Sequence, residues 1–149
     1  MQKLLLLIPI LLIVQNIFAQ FEESIPSKAV IREFSEIDSK NKITVTILFK
    51  YDKLNDIDKN NFARLVETLP DKSECTFVEV ANAETNRTLN VLKFYWDSKK
   101  LPKEDFTIKY ILTINPRTAD KCIEGEFGYI DKSNNIGIEE IGGTNCFEQ

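Results

Sequence analysis

The chain has 149 residues, 23 acidic and 19 basic, with a formal net charge of −4, three cysteines and no histidine. Without histidine there is no Ser-His-Asp or Cys-His catalysis, no His-ligated zinc and no imidazole pH switch, and three cysteines cannot make a four-thiolate metal site. An acidic chain argues against a nucleic-acid surface, and the length suits one domain with a real core.

Residues 1–19 read as a cleavable signal peptide. Lys3 supplies the positive start, residues 4–14 are apolar apart from Pro9, and Phe18-Ala19 leads into Gln20. The apolar run is shorter than the ~20 residues of a membrane span. The expectation is Sec export to the periplasm or beyond, with no stable membrane insertion after cleavage. Residues 20–42 are polar and weakly patterned and form a lead segment, within which 28–37 suits an edge strand or a short helix. The domain proper is expected over 43–149.

Ile43, Val45, Ile47, Phe49 and Tyr51 alternate with Thr44, Thr46, Leu48 and Lys50. That period of two, rich in β-branched and aromatic residues, predicts a strand. A polar loop follows over 52–61. Residues 62–69, stopped by Pro70, fit a short helix or a strand. Thr76, Val78 and Val80 alternate as a strand, 82–87 read as a turn, and 88–96 as a strand with Leu92, Phe94 and Trp96 on one face. After a loop at 98–104, Ile108, Tyr110, Leu112 and Ile114 mark another strand. Residues 122–130 and 136–141 form a closing hairpin around the turn cluster 131–135. About seven strands with frequent turns and no long helical stripe predict an antiparallel Ig-like β-sandwich.

Export permits disulfides. A three-residue loop at 133–135 would pair Lys132 with Ile136. The same register carried outward places Cys122 directly across from Cys146, with Cβ atoms about 4.5–5.5 Å apart before any adjustment toward a disulfide. Cys75 is then left over. The competing reading is three thiols packed as small hydrophobes.

The string Phe62-Ala63-Arg64-Leu65 with Glu67 and Leu69-Pro70 is followed by Val91, Lys93-Phe94, Trp96 and Leu101-Pro102. Phe106-Thr107-Ile108 with Tyr110 comes next, then Gly125, Phe127 and Tyr129-Ile130. In that order and spacing the chain resembles an uncharacterised secreted Ig-like β-sandwich domain of the Bacteroidetes, over roughly residues 43–138. The resemblance implies a sandwich and favours a strand over 62–69. It brings no catalytic or binding residues with it.

Several candidate sites compete with plainer readings. Asp56, Asp58 and Asn60 stand at positions 1, 3 and 5 of a twelve-residue loop that ends on Glu67, as a calcium loop requires. Asn61 in place of glycine, Arg64 at the ninth position and strand-like flanks oppose it, and no metal or other cofactor is expected. Phe94 and Trp96 share a face and read as core, which turns Tyr95 outward beside Lys93. The acid pairs Glu22-Glu23 and Glu139-Glu140 are sequence neighbours, so on strands they point to opposite faces and make no glycosidase pair. Cys75 has no histidine to activate it. Asn86-Arg87-Thr88 is a glycosylation sequon in a turn.

No catalytic constellation is present, so no enzyme is expected. The expectation is a non-catalytic module that binds a partner protein. The alternative is a small secreted protease inhibitor or carbohydrate-binding domain.

Overall fold

The computed structural model describes residues 28–147 except Asn55 and Lys59. The signal peptide expected at 1–19 and the start of the lead segment lie outside the described residues.

The chain forms β1 (Val30–Phe34), β2 (Lys42–Phe49), β3 (Ala63–Thr68), β4 (Glu74–Glu79), β5 (Glu84–Thr88), β6 (Val91–Trp96), β7 (Phe106–Thr113), β8 (Glu124–Ile130), β9 (Ile136–Glu140) and β10 (Gly142–Gly143). One sheet has the order β10-β1-β2-β7-β4 and the other β5-β6-β3-β8-β9. All neighbours are antiparallel except β1 and β10, which run parallel. This is the Ig-like β-sandwich that the alternating pattern implies.

The two sheets enclose the residues whose alternation was visible. Ile43, Val45, Ile47 and Phe49 point inward from β2, Ile108, Tyr110 and Leu112 from β7, and Leu92, Phe94 and Trp96 from β6. An aromatic knot fills one end of the core. Phe49 stacks on Phe106 at 4.3 Å between ring centroids, and Trp96 meets Phe106 edge-on at 5.7 Å. The indole N–H of Trp96 donates to the Ala81 carbonyl at 2.8 Å, which satisfies its buried polar atom.

Three strands exceed the seven expected, and each lacks an apolar alternation for a physical reason. In β1 an inward position is Arg32, so Val30-Ile31-Arg32-Glu33-Phe34 shows no clean period of two. Nor is β1 an edge: it lies between β2 and β10. Residues 84–87, expected within a turn, and Thr88, expected to open the next strand, form strand β5, whose residues are all exposed. The turn itself is tighter: the Ala83 N–H donates to the Val80 carbonyl, and Ala81 and Asn82 take positive φ. The last extra strand, β10, has two residues.

The closing hairpin differs in register. Ile130, not Lys132, pairs with Ile136, and the loop runs over 131–135. Asp131 organises it: its Oδ1 accepts from the Ser133 and Asn135 N–H groups at 2.8 and 2.7 Å. The Asn135 N–H above all holds the Asp131 carboxyl below its ordinary range. Carried outward, this register would set Cys122 across from Thr144. The disulfide nevertheless joins Cys122 to Cys146, with Cα atoms 4.0 Å apart. After Glu140 the chain leaves β8 and pairs Gly142-Gly143 with β1 in the opposite sheet. The crossing absorbs two residues before an isolated bridge returns Cys146 to Cys122.

Candidate partner-binding face

The buried polar groups of the sandwich are spent on one another. The Arg32 guanidinium donates to Glu67 Oε1 through Nε at 2.8 Å and Nη2 at 2.6 Å. Its Nη1 reaches the Ile123 carbonyl at 2.9 Å and Asn145 Oδ1 at 2.7 Å. The Tyr110 hydroxyl donates to Glu67 Oε2 at 2.6 Å. Both members of the ion pair are fully buried. Burial pushes the Glu67 carboxyl up, and Arg32 and the Tyr110 hydroxyl pull it back. Arg32 stands on β1 and Glu67 on β3, so the network ties the two sheets together.

That arrangement dissolves the calcium loop. Glu67, its twelfth position, points into the core and is held by Arg32. Asp58 Oδ1 instead accepts the Asn60 N–H at 3.0 Å, which is a local Asx turn. The other candidates also separate. Glu140 pairs with Lys28 at 3.1 Å, while Glu139 sits by Tyr129 and helps raise that phenol, after burial. Glu22 and Glu23 lie outside the described residues. Asn86 is on exposed β5, where its Oδ1 accepts from the Thr88 hydroxyl at 3.2 Å. Cys75 is a free, partly buried thiol on β4, pushed up to about 11 mainly by burial.

The informative surface is the outer face of the β5-β6-β3-β8-β9 sheet. Register places Gly128 between Arg64 on β3 and Ile138 on β9. Having no side chain, Gly128 floors a shallow depression of about 150 Å³ whose walls include Phe62, Ile130, Ile136 and Ile138. Ile136 is 78% exposed and Ile138 59%. Tyr95, the residue expected to face outward, does so, and its ring lies 6.1 Å from that of Phe62. Phe94 and Trp96 are core. So Tyr95 reaches this face, but its most exposed apolar residues come from the hairpin. Reading β9 only as a hairpin partner concealed that, because a single sequence shows alternation without showing which face is covered.

The fold and this face define an Ig-like β-sandwich that presents a sheet surface rather than a cleft. The sequence matches no family model and no curated protein. Solved structures share the fold. The collagen binding domain of Erysipelothrix rhusiopathiae surface protein RspB is 11% identical at a TM-score of 0.56, over 81% of this chain and 47% of that one. ACE19, the collagen binding subdomain of Enterococcus faecalis surface protein ACE, is 11% identical at 0.53, over 77% of this chain and 94% of that one. BcpA, the major pilin subunit of Bacillus cereus, is 10% identical at 0.55, over 78% of this chain and 38% of that one. The chain thus spans about half of the RspB structure and well under half of the pilin. At these identities the likeness is one of fold. Among the described residues no helix is long and apolar enough to cross a membrane.

Proposed function

We infer that this chain is a secreted or periplasmic, non-catalytic β-sandwich module that binds a partner protein on the outer face of its β5-β6-β3-β8-β9 sheet. The observation that carries this reading is the exposed pair Ile136 and Ile138 beside the Gly128 depression. An apolar strip on an edge strand invites association unless something covers it. Support comes from the company the fold keeps, since two of its structural relatives are collagen-binding domains of surface proteins.

A carbohydrate-binding role is the second reading, favoured by one observation: the adjacent rings of Phe62 and Tyr95 on the same face. A photoreactive side chain at position 138, and another at the distant, 87% exposed Leu89, separates these readings in the producing cell. A discrete protein cross-linked from 138 and absent from 89 is the expected result. No protein adduct from 138, with binding to immobilised glycans instead, overturns partner binding in favour of the sugar.

A further inference from the structure

We propose that the partner enters as an extended, apolar and basic segment that adds a strand to the free edge of β9. This rests on the partner-binding reading and gives the partner a chemistry.

The edge comes first. In the described residues β9 ends its sheet, with β8 on one side only. The Asp131 N–H donates to the Asn135 carbonyl, so the antiparallel alternation makes Tyr129 with Gly137 the next hydrogen-bonded pair. Ile136, Ile138 and Glu140 then turn their own N–H and C=O groups away from β8, toward the open edge. These are the residues whose side chains lie on the outer face. A strand about 4.8 Å from β9 would pair with their backbone and set its alternate side chains beside Ile136 and Ile138.

Charge selects the occupant. Residues 124–140 hold Glu124, Glu126, Asp131, Glu139 and Glu140 against a single basic residue, Lys132. Glu126 and Glu140 are direct cross-strand partners, and like charges placed opposite one another destabilise a sheet. Each has one cation, Arg64 at 3.4 Å from Glu126 and Lys28 at 3.1 Å from Glu140, and both ion pairs are solvent-exposed and weak. An incoming lysine or arginine at this end relieves the repulsion, while apolar residues cover Ile136 and Ile138. An acidic strand would instead add to the repulsion between Glu126 and Glu140.

The test uses two capped synthetic peptides with the same alternating valine-threonine centre, one flanked by lysines and one by glutamates. Fluorescence anisotropy reads their binding to the unmodified protein. The lysine peptide is expected to bind at least about tenfold more tightly. In Glu126→Lys/Glu140→Lys protein that order reverses. Ile138→Pro, which removes an N–H that β8 does not use, abolishes binding of both peptides while the fold persists. Equal binding of the two peptides to the unmodified protein overturns the basic partner and leaves partner binding standing. No binding of either peptide at millimolar concentration overturns strand addition, and the cross-link from position 138 then decides partner binding by itself.

Discussion

Arg32 and Glu67 face each other across the sandwich from opposite sheets, with Nη2 of one 2.6 Å from Oε1 of the other and both side chains sealed from water. Removing one partner leaves a buried, uncompensated charge. Arg32→Met or Glu67→Leu alone is therefore expected to cost about 3–5 kcal/mol. Replacing both with apolar residues of similar volume, as in Arg32→Met/Glu67→Leu, removes both charges together and is expected to cost much less than the two single changes added. Urea unfolding of the four proteins in a double-mutant cycle measures this. Additive losses would mean that the pair is not coupled.

Next to that pair, two groups resist ionisation. Burial pushes the Tyr110 phenol well above its ordinary value of 10.0, and Cys75 goes from 9.0 to about 11. Both hold their protons longer in the folded protein than in the unfolded chain. Their contribution to stability is complete below the unfolded values and lost as pH rises through the window above them. Stability is therefore expected to begin falling near pH 9, as Cys75 ionises in the unfolded chain, and faster above pH 10 as Tyr110 joins. Cys75→Ala should flatten the first part of the decline and Tyr110→Phe the second. Tyr110→Phe should also lose about 1 kcal/mol at neutral pH, for the hydrogen bond to Glu67. Denaturant midpoints at intervals from about pH 7 to pH 11 would show it, and an unchanged slope in both variants would contradict it.

The bond between Cys122 and Cys146 closes a loop of 24 residues that contains all of β8, β9 and β10. Restricting that loop in the unfolded chain is worth about 3 kcal/mol. Cys122→Ala/Cys146→Ala protein is expected to lose about this much, to keep its far-ultraviolet spectrum, and to show the same stability with or without reductant. Cys75, with its raised thiol, should alkylate slowly in the folded state at neutral pH and rapidly once unfolded.

What the sequence made legible was whatever alternated. Ile43 to Phe49 and Phe106 to Thr113 announced β2 and β7, because every second residue is apolar and buried. β1 stayed open between an edge strand and a short helix because its inward position carries Arg32, and the partners that make this tolerable, Glu67 and Tyr110, lie 35 and 43 positions from their own partners in the network. β5 escaped because both of its faces are wet. The cysteine pairing shows how a right contact can come from a wrong register. The hairpin arithmetic assumed one continuous ladder, whereas the chain crosses to the opposite sheet between Glu140 and Cys146. The candidate face was hidden for a different reason. Alternation puts Ile136 and Ile138 on one side of β9, but only the sheet order shows that this side is uncovered.

Three glycines of the same region separate structural need from surface shape. Gly143 has φ of +81°, and an added Cβ would run into the Arg32 carbonyl. Gly143→Ala therefore strains the β1–β10 pairing and is expected to cost about 1–2 kcal/mol or more. At Gly137 an added Cβ would strike the Tyr129 ring, so Gly137→Ala displaces that side chain and also destabilises. At Gly128 the nearest atoms are Nε and Cγ of the flexible Arg64 side chain, at 3.3 and 3.5 Å. Gly128→Ala removes backbone freedom from the unfolded chain while asking only for a small shift of Arg64. It is expected to leave stability unchanged or raise it by about 0.5–1 kcal/mol. Gly128→Val goes further and fills the depression. It should keep the fold and lose the photo-cross-link from position 138. If Gly128→Val cross-links as well as the parent protein does, the depression plays no part in binding and the contact is made by Ile136 and Ile138 alone.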